Sequence, residues 1–281
     1  MGDPRPCMNT EKNDMPEIFE LQFMQRALAA GVLTGFTLSL LGVFVVLRRS
    51  AFFGDAIAHF AFTGIALGFL FAVDPIMAAV LVSVTLALGM GYLHARTPSQ
   101  SLDTVIGIFF SGAAALGIFI IGLLEGYRVD LFQFLFGDII AVSFRDVLIS
   151  LVSGIGVGIA FLYIWKPLFK ITFHREIARV SGVSVAFYDY CFLGLLALVT
   201  AVSIKIVGII LVPALLVIPA ASAKNISRSF RGMIIWAVIL GVGSVVLGLV
   251  GSFYLDTASG ATVVLASIIG FALTLFFRGR R

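Results

Sequence analysis

Charge is what this chain has least of: 12% of its 281 residues are Asp, Glu, Lys or Arg, 60% are hydrophobic, and the mean hydropathy is +1.11. Soluble domains carry about 25% charged residues, so a water-borne globular protein is excluded. Cysteine is nearly absent. Cys7 lies in a polar tail and Cys191 in an apolar run, which leaves neither a disulfide framework nor a thiolate metal site. No Gly-x-x-x-x-Gly-Lys-Ser/Thr occurs, so any nucleotide hydrolysis belongs to another chain. Three histidines, His59, His94 and His174, with no second inward acid beside the first, supply too little for an intramembrane enzyme. The net charge of +4 is spread over short loops and forms no contiguous basic face for nucleic acid.

What the chain has is apolar length. Runs at 24–47, 56–73, 75–93, 104–124, 147–165, 189–204, 206–223, 233–254 and 260–277 are mostly near the roughly 20 residues that cross hydrocarbon. A shorter run at 131–142 suits a re-entrant or interfacial helix. The fold expected is all-α and polytopic, with about eight to nine transmembrane helices. Residues 1–22 form a polar tail with Pro4, Pro6 and Pro16 and lack the basic-then-apolar order of a cleaved signal. Residues 23–281 form the membrane domain. Nine spans with a cytoplasmic C-terminus put 13 of the 19 Lys and Arg, but only Asp55, Asp103, Glu176 and Asp189 among the acids, on the cytoplasmic side. That asymmetry is the positive-inside pattern and places the N-terminus outside. Small residues four apart, Gly31 with Gly35, Gly64 with Gly68 and Gly154 with Gly158, read as helix packing. Arg48-Arg49 reads as a headgroup anchor, and Lys205, at an outer turn, as a side chain reaching water.

The chemistry concentrates at Gly54-Asp55-Ala56-Ile57-Ala58-His59, which opens the second span. On a helix Asp55 and His59 share a face one turn apart, where a carboxylate oxygen and an imidazole nitrogen can bind one cation. Ionisable groups in a span cost several kcal/mol unless they face a partner, a pore or water. Arg48-Arg49 places this pair near the surface, and a loop at residues 50–54 folding back into the protein would take it deeper. Asp103 reads as an N-cap before Thr104, with a transport role as the alternative. Asp138 reads either as a second acidic station or as the end of an interfacial helix. Pro213 and Pro219, six apart in one span, each remove a backbone hydrogen bond, which suits a kink at a gate or cavity. The loop from Lys166 to Asp189 holds a short amphipathic helix, Phe173, Ile177 and Val180 ended by Gly182, that either lies on the bilayer or is gripped by a soluble partner.

Taken in order, Gly54-Asp55-Ala56-Ile57-Ala58-His59, Leu102-Asp103-Thr104 with Ile106-Gly107, Arg128-Val129-Asp130 with Leu135-Phe136-Gly137-Asp138, Val207-Gly208 with Pro213 and Ile218-Pro219-Ala220-Ala221, and Asp256 with Ser259-Gly260 resemble the integral-membrane permease subunits of bacterial zinc and manganese ABC importers, the ZnuB-like proteins. The resemblance covers nearly all of residues 24–277. It implies a permease of the vitamin-B12-importer type in the bacterial plasma (inner) membrane, with two copies, identical or paralogous, forming the pathway at their interface. It carries Asp55 and His59 over as metal-contacting residues. Glu176, Ala178 and Gly182, in a loop at about 170–186, become the coupling helix that docks on a cytoplasmic ABC ATPase. An extracytoplasmic binding protein would deliver the ion.

No permanently bound cofactor is expected, and the cargo would be Zn2+, with Mn2+ or iron as alternatives. Symmetry would join two carboxylates and two imidazoles, a ligand set suited to zinc and tolerable for manganese. Such a site must be disassembled in each cycle to release its ion, and it weakens once the imidazole protonates. Two other readings stay open. A stand-alone secondary transporter or channel for divalent cations would not need Glu176 or Gly182. An ABC permease for a metal chelate would not need Asp55 and His59 for metal contact.

Overall fold

The computed structural model describes residues 21–97, 99–124, 137 and 142–278, with the side chains of 277 and 278 left aside. Among these the helices are α1 (Gln22–Leu47), α2 (Phe52–Leu70), α3 (Pro75–Arg96), α4 (Leu102–Leu123), α5 (Phe144–Phe173), α6 (Arg175–Val180), α7 (Val185–Val207), α8 (Leu211–Ile226), α9 (Phe230–Leu255) and α10 (Ser259–Arg278), and there is no strand. Eight of them are long and apolar enough to cross a membrane, and α8 is a shorter apolar helix of 16 residues. At 1.5 Å per residue α8 spans about 24 Å, less than the roughly 30 Å of hydrocarbon. It sits inside the bundle, packed by α1, α9 and α10. The expected all-α, multi-span architecture is what the chain adopts. The short helix expected at 131–142, with Asp138, lies outside the described residues except for Gly137 and Val142.

Local chemistry sets the helix boundaries. Asp74 caps α3, its Oδ1 accepting from the backbone N–H of Ile76 and of Met77 at 3.0 Å each, and Pro75 follows in the first turn, where no donor is needed. At α4 the cap is Ser101, whose Oγ accepts from Thr104 N at 3.1 Å. The cap expected at Asp103 is therefore wrong: Asp103 lies inside the first turn, exposed, where a carboxylate complements the helix dipole. Ser143 and Asp146 form a reciprocal capping box at α5. That helix then continues through Pro167 to Phe173, well past the expected end at 165. Much of the expected Lys166–Asp189 loop is thus helix, and only His174 separates α5 from α6. The two prolines of α8 differ in effect. Pro213 occupies the first turn and breaks no intrahelical bond, and Pro219 alone is interior, buried at a position where a donor is missing.

Glycine brings the backbones together. A Cβ at Gly64 would lie 2.6 Å from Ala79 Cα, and one at Gly68 2.8 Å from Pro75 Cα, so α2 and α3 touch main chain to main chain. Gly31 and Gly35 instead make room for the side chain of Val245 of α9. Gly154 only reaches Thr37 of α1, and Gly158 faces open space, so the packing expected of that third pair is not made.

Candidate functional site

The turn between α1 and α2 is four residues long, and its geometry determines where Asp55 sits. Arg48 N–H donates to Phe44 O at 2.9 Å and Ser50 N–H to Val45 O at 3.0 Å, while Arg49 takes φ 56°, the left-handed conformation that reverses the chain. Helix α2 begins at Phe52, so the fold-back loop expected over residues 50–54 is replaced by this tight turn and Gly54 is helical. Gly42 of α1 abuts the backbone of Leu216, and Gly54 abuts the side chain of the same Leu216 with Pro213 Cα alongside. The first turn of α2 therefore packs on α8 at Leu216, and Asp55, next after Gly54, is half-buried there.

Asp55 and His59 share one face of α2, which packs along α3 and α4 and touches α7 and α8. His59 Nδ1 stands 3.0 Å from the backbone carbonyl oxygen of Asp55. A carbonyl only accepts, so Nδ1 carries a proton, and in the neutral ring Nε2 presents its lone pair. The ring is held from the side by Phe110 of α4, edge-on at 4.4 Å between centroids. One turn further, Thr63 Oγ1 lies 3.0 Å from His59 O and 2.7 Å from Ala113 O, tying α2 to α4. The Asp55 carboxylate makes no hydrogen bond or ion pair among the described residues and is half-buried, so its oxygens are free to accept a cation. Among the described residues no third His, Cys, Asp or Glu joins the pair. The described residues thus bring together one carboxylate and one imidazole, an incomplete shell for a zinc ion.

The other expected site residues lie apart from this pair. Asp103 is seven residues before Phe110 on α4 and exposed. Pro219 is buried one turn beyond Leu216. Glu176, Ala178 and Gly182 form a separate unit at the α6 end. Ala178 is fully buried against Ile171 and Val185, and Glu176 is exposed. Gly182, at φ 76°, closes the helix with the paired bonds Gly182 N–H to Arg179 O at 3.1 Å and Val183 N–H to Ala178 O at 3.0 Å. The outer face of α6 shows Ile177 and Val180, the latter 88% exposed.

Two ionic clusters went unread in the sequence. Arg48, expected as a headgroup anchor, turns inward. Its Nη1 meets Asp189 Oδ1 at 2.8 Å, its Nε donates to Thr172 Oγ1 at 3.1 Å, and its guanidinium lies 5.0 Å from the Phe192 ring. Burial pulls the Arg48 pKa below its ordinary value, and the Asp189 charge and hydrogen bond oppose that pull. Arg175 Nη2 takes the other oxygen of Asp189, also at 2.8 Å. Lys205, expected to reach water, sits in the last turn of α7 and pairs at 2.7 Å with Asp146, which is 4% exposed. Both pairs join residues far apart in the chain, for which a single sequence carries no signal.

With this geometry, the likenesses to known proteins fall into place. A model of the ABC 3 transport family matches residues 20–278. The high-affinity zinc uptake system membrane protein ZnuB of Haemophilus influenzae is 39% identical over 261 residues, covering 92% of this chain and all of that one. The manganese transport system membrane protein MntC of Halalkalibacterium halodurans is 35% identical, covering 93% and 89%. Among solved structures, PsaBC from Streptococcus pneumoniae in complex with Fab matches with a TM-score of 0.83 and 32% identity, over 92% of this chain and 93% of that one. The chain belongs to the ABC 3 transport family and is a multi-pass membrane permease subunit of a metal ABC transporter.

Proposed function

We propose that this permease carries zinc into the cell, and that Asp55 and His59 are where the ion pauses on its way. The observation that supports the site most directly is the bond from His59 Nδ1 to the Asp55 carbonyl, because it leaves Nε2 as a lone pair one helical turn from a carboxylate that has no other partner among the described residues. Two copies of the chain facing each other supply two such pairs, four ligands in all, the number zinc prefers. A nitrogen-containing set favours zinc over manganese in intrinsic affinity. The zinc-system relative is also somewhat more identical to this chain than the manganese-system one. Manganese and iron remain the other cargoes to be compared.

The energy comes from a separate cytoplasmic ATPase docked on α6, where exposed Ile177 and Val180 offer an apolar contact and Gly182 sets the exit of the chain. A metal-binding protein outside delivers the ion. The chain resides in the bacterial plasma membrane with the Arg48 and α6 end in the cytoplasm, a placement its excess of Lys and Arg supports.

The test is uptake by proteoliposomes holding the permease with its ATPase, zinc against manganese, for wild type and His59→Ala. Zinc uptake should exceed manganese uptake and should fall at least tenfold in His59→Ala while ATP hydrolysis continues. Undiminished zinc uptake by His59→Ala would remove the site from the pathway.

A further inference from the structure

We propose that Asp189 is a positioning residue that transmits movement of α6 to the helix carrying Asp55 and His59. The inference rests on the reading that α6 is the ATPase docking element and that Asp55 belongs to the metal path. One carboxylate is shared by two guanidinium groups on different elements, Arg175 at the start of α6 and Arg48 in the turn between α1 and α2, each at 2.8 Å and each on its own oxygen. The two arginines differ in setting: Arg175 is largely exposed, whereas Arg48 is mostly covered, lies beside the Phe192 ring, and has a buried Nη2 with no hydrogen-bond partner. A covered cation of this kind cannot be parted from its carboxylate without a large penalty, so Arg48 follows Asp189.

Arg48 is in turn rigidly joined to the site. The four residues from Arg48 to Ala51 are pinned by Arg48 N–H to Phe44 O, Arg49 N–H to Val46 O and Ser50 N–H to Val45 O, and Ser50 Oγ donates to Arg48 O at 3.1 Å. Phe53 N–H then donates to Ser50 O at 3.0 Å, which leads directly into the turn bearing Asp55. A displacement of α6 therefore has a continuous hydrogen-bonded route, through Asp189, Arg48 and the α1–α2 turn, to the first turn of α2, which carries Asp55. Thr172 of α5 supports the same guanidinium, so the end of α5, α6, the start of α7 and the α1–α2 turn form one mechanical unit.

The experiment compares zinc taken up per ATP hydrolysed by proteoliposomes of the whole transporter, permease, ATPase and metal-binding protein together. Asp189→Asn should leave the complex assembled and ATP hydrolysis within about twofold of wild type, and lower zinc per ATP at least tenfold. Asp189→Glu, which keeps the charge, should restore most of the ratio. Arg175→Gln removes only the α6 half of the clamp and, read on complexes that remain assembled, should lower the ratio in the same direction. A wild-type ratio in Asp189→Asn, or loss of the assembled complex in both Asp189→Asn and Arg175→Gln, overturns the relay in favour of a purely structural clamp. If the wild-type transporter itself fails to take up zinc on ATP, or if Ile177→Asp leaves the ATPase bound, the fault lies in the underlying reading and not in Asp189.

Discussion

His59 is useful to a cation in only one of its two neutral forms, and the backbone selects it. Donation from Nδ1 to the Asp55 carbonyl aims Nε2 away from the helix, as histidines that bind metal are oriented by a partner on the far nitrogen. Thr63 is the residue beneath: its hydroxyl spans the carbonyls of His59 and Ala113 and holds the pair in register with α4 and Phe110. Thr63→Val keeps the shape and removes the bridge. Thermal unfolding in detergent should show a loss of about 1 kcal/mol, with a looser His59 and therefore weaker uptake. Stability equal to wild type would deny Thr63 that part. The Asp55–His59 spacing was legible in the sequence because a helix places residues four apart on one face. The tautomer was not, because a backbone carbonyl leaves no mark in a sequence.

The helices teach a related lesson through their ends. Asp74-Pro75 announces α3 correctly, because a carboxylate cap followed by proline has one natural use. Asp103 misleads, because Ser101 two residues earlier is an equally good cap and the chain uses it. Pro213 and Pro219 look alike in sequence, and only the helix start at Leu211 tells which of them costs a hydrogen bond. Pairing between elements is still less visible: Lys205 and Asp146, 59 residues apart, join the end of α7 to the start of α5. Asp146 also accepts from Ser143 N and Oγ at 2.9 and 2.6 Å, so removing the lysine leaves it partly satisfied. Lys205→Met should cost on the order of 2 kcal/mol, below the 3–5 kcal/mol of a fully buried broken pair because Lys205 is 36% exposed. Adding Asp146→Asn should recover part of that loss. Equal stability of Lys205→Met and wild type would show the pair to be inert.

For the molecule as a whole, the spans were readable because hydrocarbon thickness demands apolar runs of one length, and the runs map onto α1–α5 and α7–α10. Orientation is a separate matter, and the proposed one rests on the excess of Lys and Arg at one end. With Cys7 and Cys191 replaced by serine, a cysteine at Val180, on the exposed face of α6, should react with a membrane-impermeant maleimide only from the cytoplasmic side. Labelling from outside would invert the topology. On the proposed reading, two copies of the chain each bring Asp55 and His59 to one four-ligand shell. X-ray absorption at the zinc edge, on the assembled transporter without its binding protein, looks at that shell directly. If the ion rests on Asp55 and His59, the spectrum will show nitrogen and oxygen neighbours at about 2.0–2.1 Å with imidazole scattering, and His59→Ala will abolish the imidazole signal. Zinc bound with an imidazole signal that survives His59→Ala would place the ion elsewhere.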